Sequence, residues 1–443
     1  MLSLANGLNE QVIRKISADK KEPAWMLNVR LKAYAAYKKM PMPKFGPDIK
    51  IDLDSICYYA PASNKAVDNW NELPKDIKET YDKIGLPEAE KRYLAGVGAQ
   101  YNSSIVYQNL KKEWEDLGVI FLDTDTALKQ YPELFKKYFA SVIGYNDNKF
   151  AALNTAVWSG GSFIYVPPYV SLSAPLQAYF RINLASIGQF ERTLIIADQG
   201  ANIQYVEGCT APIYSTKSLH AAVVEVIALP KSRVRYTTIQ NWSNNVINLT
   251  TQRMAVKKDA LGEWIDGNIG SSLTMKYPAV ILEETGASGD ILSLSIAKNG
   301  QNQDTGAKAI HLAPNTSSTI VSKSVSMNGG ICSYRGKIFI DKTAARAQSS
   351  TKCDALLIDG ESASNTFPDS VINRSDSQIA HEATTSRISA EQLFYISSRG
   401  IDEDEASSMI VNGFAEPITK NLPMEYAVEL NRLIDLSMEG SVG

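Results

Sequence analysis

Thiols and imidazoles are scarce in this sequence. There are four cysteines, Cys57, Cys209, Cys332 and Cys353, and three histidines, His220, His311 and His381. The cysteines are far apart and form no C-x-x-C, which argues against a zinc knuckle or a disulfide framework and fits free thiols in a reducing compartment. By spacing alone, one cysteine beside an apolar strand, as in Lys352-Cys353-Asp354-Ala355-Leu356-Leu357-Ile358, reads as a packing residue. The adjacent His381-Glu382 joins an imidazole to a carboxylate, which can ligate a metal or move protons. His220 and His311 read as structural, bridging strands by hydrogen bonds. No G-x-x-x-x-G-K-[ST] occurs, so the sequence lacks the phosphate-cradling loop for ATP hydrolysis.

The elements that must position these groups fall into three parts. Residues 1–150 read as helical and loop-rich: Leu8 to Met40 has helical apolar spacing broken at Pro23, and Pro74 to Leu86 and Ala127 to Tyr138 are amphipathic. Residues 151–384 read as β: runs such as Phe163-Ile164-Tyr165-Val166 and Ala222-Val223-Val224-Glu225-Val226 alternate with turn signals whose rhythm is short and even from Gly286 onward. So many short strands with no intervening helix suit a solenoid better than a sandwich. In a solenoid, residues distant in sequence stack in columns and can line one interior path. Residues 385–443 return to helix. Ser389-Ala390-Glu391-Gln392 has the form of a capping box, Gly400 marks a stop, acidic residues from Asp402 precede another helix, and a last helix starts near Pro423.

A net charge of -3 gives no electrostatic reason to expect nucleic acid or an anionic membrane. No apolar run is long enough to span a bilayer, and the first residues lack signal-peptide character. The expected location is cytoplasmic, or the plastid stroma in a plastid-bearing eukaryote.

Several short segments together resemble the SufB branch of the SufB/SufD family of iron-sulfur cluster assembly proteins. They are Phe180-Arg181-Ile182-Asn183, Gly188-Gln189-Phe190-Glu191-Arg192-Thr193, Glu207-Gly208-Cys209-Thr210-Ala211-Pro212, Gln240-Asn241-Trp242, Ser333-Tyr334-Arg335-Gly336, His381-Glu382-Ala383-Thr384-Thr385-Ser386-Arg387 and Met409-Ile410-Val411-Asn412-Gly413-Phe414. The resemblance implies a mainly β fold with helical ends, a right-handed parallel β-helix core between N-terminal and C-terminal helical domains. It implies a scaffold without enzymatic activity of its own, working in the SUF complex with the ATPase SufC, with SufD or a second SufB copy, with a sulfur donor system (SufS with SufE or SufU) and with acceptor or carrier apoproteins. ATP would act only through SufC; iron and a transient iron-sulfur cluster would be handled here, and a reduced flavin is an admissible electron source.

Residue by residue, the resemblance implies that Cys209 accepts sulfur and that Arg181, Asn183, Thr238, Gln240 and Trp242 line a sulfur path. It further implies that Cys353, His381 and Glu382 hold the nascent metal site and that the Ser389 to Phe414 region docks SufC. Cys57 and Cys332 match no family function. Three departures stand out: no N-terminal cysteine cluster, Ala380 where glutamate is frequent, and Gln252 where lysine is familiar, leaving Arg253 as a source of positive charge. The rival readings are a SufD-like partner subunit, separated by the Cys209, Cys353 and His381-Glu382 set, a carbohydrate-active β-helix and a purely structural solenoid.

Overall fold

The computed structural model describes residues 7–60, 67–73, 75, 78, 82, 94–182, 187–211, 216–422 and 424–439. The expected helix over Pro74 to Leu86, the sulfur-path residue Asn183, and Pro423 therefore lie wholly or largely outside the described residues.

The centre is a parallel β-solenoid of about seven turns. One sheet stacks, in order, Leu176–Arg181, Asn202–Thr210, Arg233–Trp242, Leu261–Gly270, Ser288–Ala297, Ser317–Ser326, Gln348–Leu357 and Gln378–Arg387. The facing sheet runs from Ser162–Val166 through Arg192–Ala197, Val223–Ala228, Val246–Val256 and Asn302–His311 to Ile331–Ile340 and Ala363–Ile372. Ladder partners such as Ser288, Ser317, Gln348 and Gln378 follow one another in register, so each coil lays its strand on the one before. Parallel strands need such crossovers, and tight turns at Asn315 and Asn328, both with positive φ, allow them. At Gly270, also at positive φ, a Cβ would lie 1.7 Å from the Trp242 carbonyl oxygen, so only glycine lets these neighbouring strand ends approach.

Alternation along each strand divides its residues between lumen and exterior. Ile203, Tyr205, Tyr236, Trp264, Ile291 and Ile320 point inward into one apolar cluster that also takes in Cys353. Outward residues of the first sheet, including Ile239, Ile265, Leu294 and Leu356, are covered by Val411, Ala415, Ile418, Leu430 and Ile434 of the C-terminal helices Glu403–Thr419 and Met424–Glu439. Outward residues of the second sheet pack against the N-terminal helices Glu10–Asp19, Ala24–Lys39 and Lys149–Val157. A buried ion pair ties this cover down: Arg192 Nη2 meets Glu225 Oε2 at 2.5 Å, and the Glu225 carboxylate also accepts from the backbone N–H groups of Ala140, Val142 and Ile143.

The capping box at Ser389 forms, and Asp402 caps the next helix. Strands also occur inside the segment expected to be helical and loop-rich: Gly96–Tyr101 and Ser104–Leu110 form a hairpin whose first strand continues the solenoid sheet beside Leu176–Arg181. Gly96 and Gly98 dilute the β-branched signal there, because these strands are held by tertiary pairing rather than by local preference. Ile120–Asp123 likewise pairs antiparallel with Ser162–Val166. The first coil is thus closed by antiparallel strands, whereas the last coil, Ala363–Ile372 with Gln378–Arg387, is exposed along most of both strands.

Candidate functional site

Cys353 and His381 stand on neighbouring strands at this open end. Thr351 pairs with His381 and Cys353 with Ala383, so all four point to the lumen side. Cys353 Sγ lies 3.9 Å from His381 Nε2. The thiol is 5 % exposed, whereas the imidazole is exposed. Burial pushes the Cys353 thiol up to about 12, against the Tyr334 hydroxyl, which faces it across the lumen and lowers it, and with Asp354 raising it further. The pair is a soft and a borderline donor at bonding range of a shared ion, and the thiol proton must leave when metal binds.

Glu382 is not brought to them. It pairs in the ladder with Lys352, on the opposite face of the sheet, and its carboxylate lies 3.4 Å from the Lys352 ammonium. A one-residue step along a strand reverses the side-chain direction, so two consecutive residues cannot face one lumenal ion from a regular strand. Among the described residues no three His, Cys, Asp or Glu side chains converge as a metal-ligand cluster.

Cys209 lies deep in the solenoid, five strands before Cys353 in the same sheet. At about 4.8 Å per strand the separation along the stack is about 24 Å. Two inward columns run between them. Glu207, Thr238, Asp266, Ser293, Ser322 and Cys353 are successive ladder partners, and beside them Cys209, Gln240, Asn268, Ser295 and Ser324 are also successive. Every intervening position in both columns is polar, and the facing wall adds buried Asn248, Thr250, Gln252, Thr274, Gln303 and Thr305. Ser293 donates to Ser322 at 3.0 Å, and Lys276 enters from the facing sheet to meet Asp266 at 3.1 Å, both fully buried.

The Cys209 thiol donates to Glu207 Oε1 at 3.7 Å. Burial, with Glu207 and Glu191 adding to it, raises that thiol well above its usual value. Glu207 itself is pushed up to about 7, by burial first and by Glu191 second. His220 lies close by, with Nε2 2.5 Å from Glu191 and Nδ1 2.7 Å from the Asn248 side-chain oxygen. Burial opposes the charged ring, yet the Glu191 carboxylate raises its pKa. His311 is buried and bonded to Thr316 and Ser318. Both rings therefore bridge neighbouring elements.

Of the sulfur-path residues, Thr238, Gln240 and Trp242 share the inward face with Cys209; Gln240 is its ladder neighbour, and the Trp242 ring lies 4.7 Å from that of His220. Arg181 pairs with Thr210 and so takes the opposite face from Phe180 and Cys209. Arg253 faces out of the solenoid, with Nη1 2.5 Å from Asp147. A buried cation inside is Lys276, which sequence reasoning missed together with Asp266, Glu207 and Tyr334. Glu207 and Tyr334 sit inside the segments that carried the resemblance, but Lys276 is visible only once the ladder is known. Cys57 and Cys332 are buried free thiols.

In the Ser389 to Phe414 region, the helix Ala390–Ser397 buries no residue, and Phe394, Tyr395 and Met409 are exposed. Among the described residues no helix is long and apolar enough to cross a membrane.

The chain matches two family models in succession: the SufBD protein N-terminal region over residues 10–178, and the SUF system FeS cluster assembly SufBD core domain over residues 180–414. It is 58% identical over 438 residues to an iron-sulfur cluster assembly SufBD family protein of Staphylococcus aureus strain USA300, covering 99% of this chain and 94% of the relative. Proteins of that family from Staphylococcus epidermidis and Staphylococcus saprophyticus match with the same identity and coverage. Two family models that together span residues 10–414 apart from one position, and relatives 58% identical over 99% of the chain, identify it as a member of the SufBD family of SUF-system iron-sulfur cluster assembly proteins.

Proposed function

We propose that this chain is a SufB-type scaffold, which takes up persulfide sulfur at Cys209 and builds a nascent iron-sulfur cluster on Cys353 and His381. The observation that carries the reading is the Cys353–His381 pair at the open end of a lumen whose polar columns lead back to Cys209. Thiolate sulfur holds iron, imidazole completes its coordination, and hydroxyl and amide groups stabilise an anionic persulfide in a lumen that excludes oxidants. Two donors do not fill an iron coordination sphere, so the remaining ligands come from sulfide and from a partner across the exposed last coil, either SufD or a second copy. Glu382 joins the iron only through such a contact, since it lies outside the lumen.

ATP is hydrolysed by a SufC-type ATPase docked on the exposed Phe394, Tyr395 and Met409. The sulfur comes from a SufS-type donor with SufE or SufU, a reduced flavin supplies electrons, and finished clusters pass to carrier or acceptor apoproteins. The setting is the cytoplasm. The test is sulfur loading of the Cys209→Ser protein by its donor: persulfide should be absent from Cys353, and normal labelling there would refute the route.

One observation favours the SufD-like reading: burial and the neighbouring Glu207 raise the Cys209 thiol well above its usual value, and among the described residues no cation is bonded to it. Anaerobic co-purification with SufC-like and SufD-like partners, followed by iron and sulfide analysis, separates the two readings.

A further inference from the structure

A second cavity lies on the outside of the solenoid, on the face away from the lumen. It occupies about 480 Å³ where the loop after the helix Ala24–Lys39, Met40 to Phe45, leans over the strand Val246–Val256 and its neighbours. We propose that this cavity binds a small amphiphilic anion, with a phosphate or carboxylate head between Lys308 and Arg253 and an apolar body against Phe45, Met275 and Tyr277.

The head site follows from an unbalanced column of charge. Arg253, Ala279, Lys308 and Lys337 are successive ladder partners pointing outward. Ala279 is short, so it leaves a notch between the cations on either side. Like charges on neighbouring strands repel unless each is compensated. The other cations of this wall have their carboxylates: Arg253 has Asp147 at 2.5 Å, Arg335 has Asp304 at 2.8 Å and Lys337 has Asp369 at 2.8 Å. Lys308 is half-buried and, among the described residues, has no carboxylate within ion-pairing distance. Its ammonium lies over the Tyr277 ring, 5.4 Å from the centroid. Burial first, and Arg253 second, push the Lys308 ammonium down, and an anion in the notch would reverse both effects. Asp147 is the one acidic residue of the cavity, against Lys44, Lys149, Arg253 and Lys308, and Arg253 already engages it.

The body site follows from the remaining walls. The Tyr277 hydroxyl is committed to Asp304 at 2.6 Å while its side chain lines the cavity, and Phe45 tilts toward its ring with centroids 5.9 Å apart. Met42 and Met275 add flexible thioethers, which conform to irregular apolar shapes. Lys149 holds the overlying segment in place by donating to the Tyr37 and Met40 carbonyls. A concave, mainly apolar site of this size with a few convergent polar groups is the usual form of a small-molecule pocket.

The test is calorimetric titration of the full chain with three probes: 1-naphthyl phosphate, 1-naphthol and inorganic phosphate. The first should bind saturably at one equivalent, and the other two at least about tenfold more weakly, because each lacks the head or the body. In Lys308→Met the affinity for 1-naphthyl phosphate should fall by at least about tenfold, with the melting temperature held, since no ion pair is broken. Reductive methylation of the unaltered protein is the second measurement: Lys308 should be protected by 1-naphthyl phosphate and not by 1-naphthol. No saturable binding below about 1 mM, an undiminished affinity in Lys308→Met, or unprotected Lys308 would each overturn the assignment. None of these results depends on cluster assembly.

Discussion

His381 and Cys353 face each other from adjacent strands at 3.9 Å, and the chain between them makes one full coil of the solenoid. Loss of either donor should remove the shared site. After anaerobic reconstitution with iron and sulfide, His381→Ala and Cys353→Ser should each retain less than about a tenth of the wild-type iron-sulfur absorbance, in line with the usual effect of deleting a metal-site group. An unchanged spectrum in His381→Ala would remove that ring from the site.

Glu382, on the other face beside Lys352, should behave differently. In the isolated chain, Glu382→Gln should keep cluster content within about twofold of wild type, since an exposed pair contributes little. Iron and sulfide assays on this protein and on His381→Ala, run side by side, test the contrast. Equal losses would mean that the strand turns over locally when metal binds.

Ser322 is the ladder neighbour of Cys353 on the side that leads to Cys209. Ser322→Val replaces a hydroxyl with two methyl groups in a filled lumen, an overpacking that costs roughly 1–3 kcal/mol. Persulfide should still form on Cys209 but accumulate on Cys353 several times more slowly, as read by mass spectrometry of trapped sulfur. Unaltered transfer would show that sulfur does not travel along these columns.

Glu225 ties the N-terminal cover to the second sheet through Arg192 and three backbone donors. Glu225→Ala leaves a buried guanidinium uncompensated, which costs about 3–5 kcal/mol. Urea unfolding should register that loss, while Glu225→Gln, which keeps acceptors for the backbone, should lose less.

His311 supplies a pH dependence with a clear sign. Burial lowers its pKa from 6.5 to about 4. Between those values the unfolded chain takes up the proton and the folded one does not, so this contribution is complete above pH 6.5, declines as pH falls to 4 and is flat below. The full change is about 3 kcal/mol. In His311→Gln the stability difference from wild type should therefore shrink as pH is lowered from 7 to 4; a constant difference would disprove the assignment.

The order of helical, β and helical parts was legible because turn signals and periodicity are local properties, and the same holds for the Ser389 capping box and for the acidic run from Asp402 at the start of the next helix. The hairpin Gly96–Tyr101 with Ser104–Leu110 was not, since its glycines carry no strand preference and its pairing partner lies far along the chain. At the site, Cys353 and His381 were named from the resemblance, and their approach depends on a register that no local signal encodes. Neighbours in sequence misled for the same reason: Glu382 follows His381, yet the pleat separates them by the thickness of the sheet. Lys276 escaped attention because its partner Asp266 enters from the opposite wall of the lumen.

The two ends of the solenoid differ in what they can add. Antiparallel strands finish the first coil, while among the described residues Ala363–Ile372 and Gln378–Arg387 are the last strands of their sheets, with Phe367, Val371 and Ile372 exposed on the former. A partner joined to the latter end would extend the stack of strands past Gln378–Arg387 and close the mouth of the lumen beside His381.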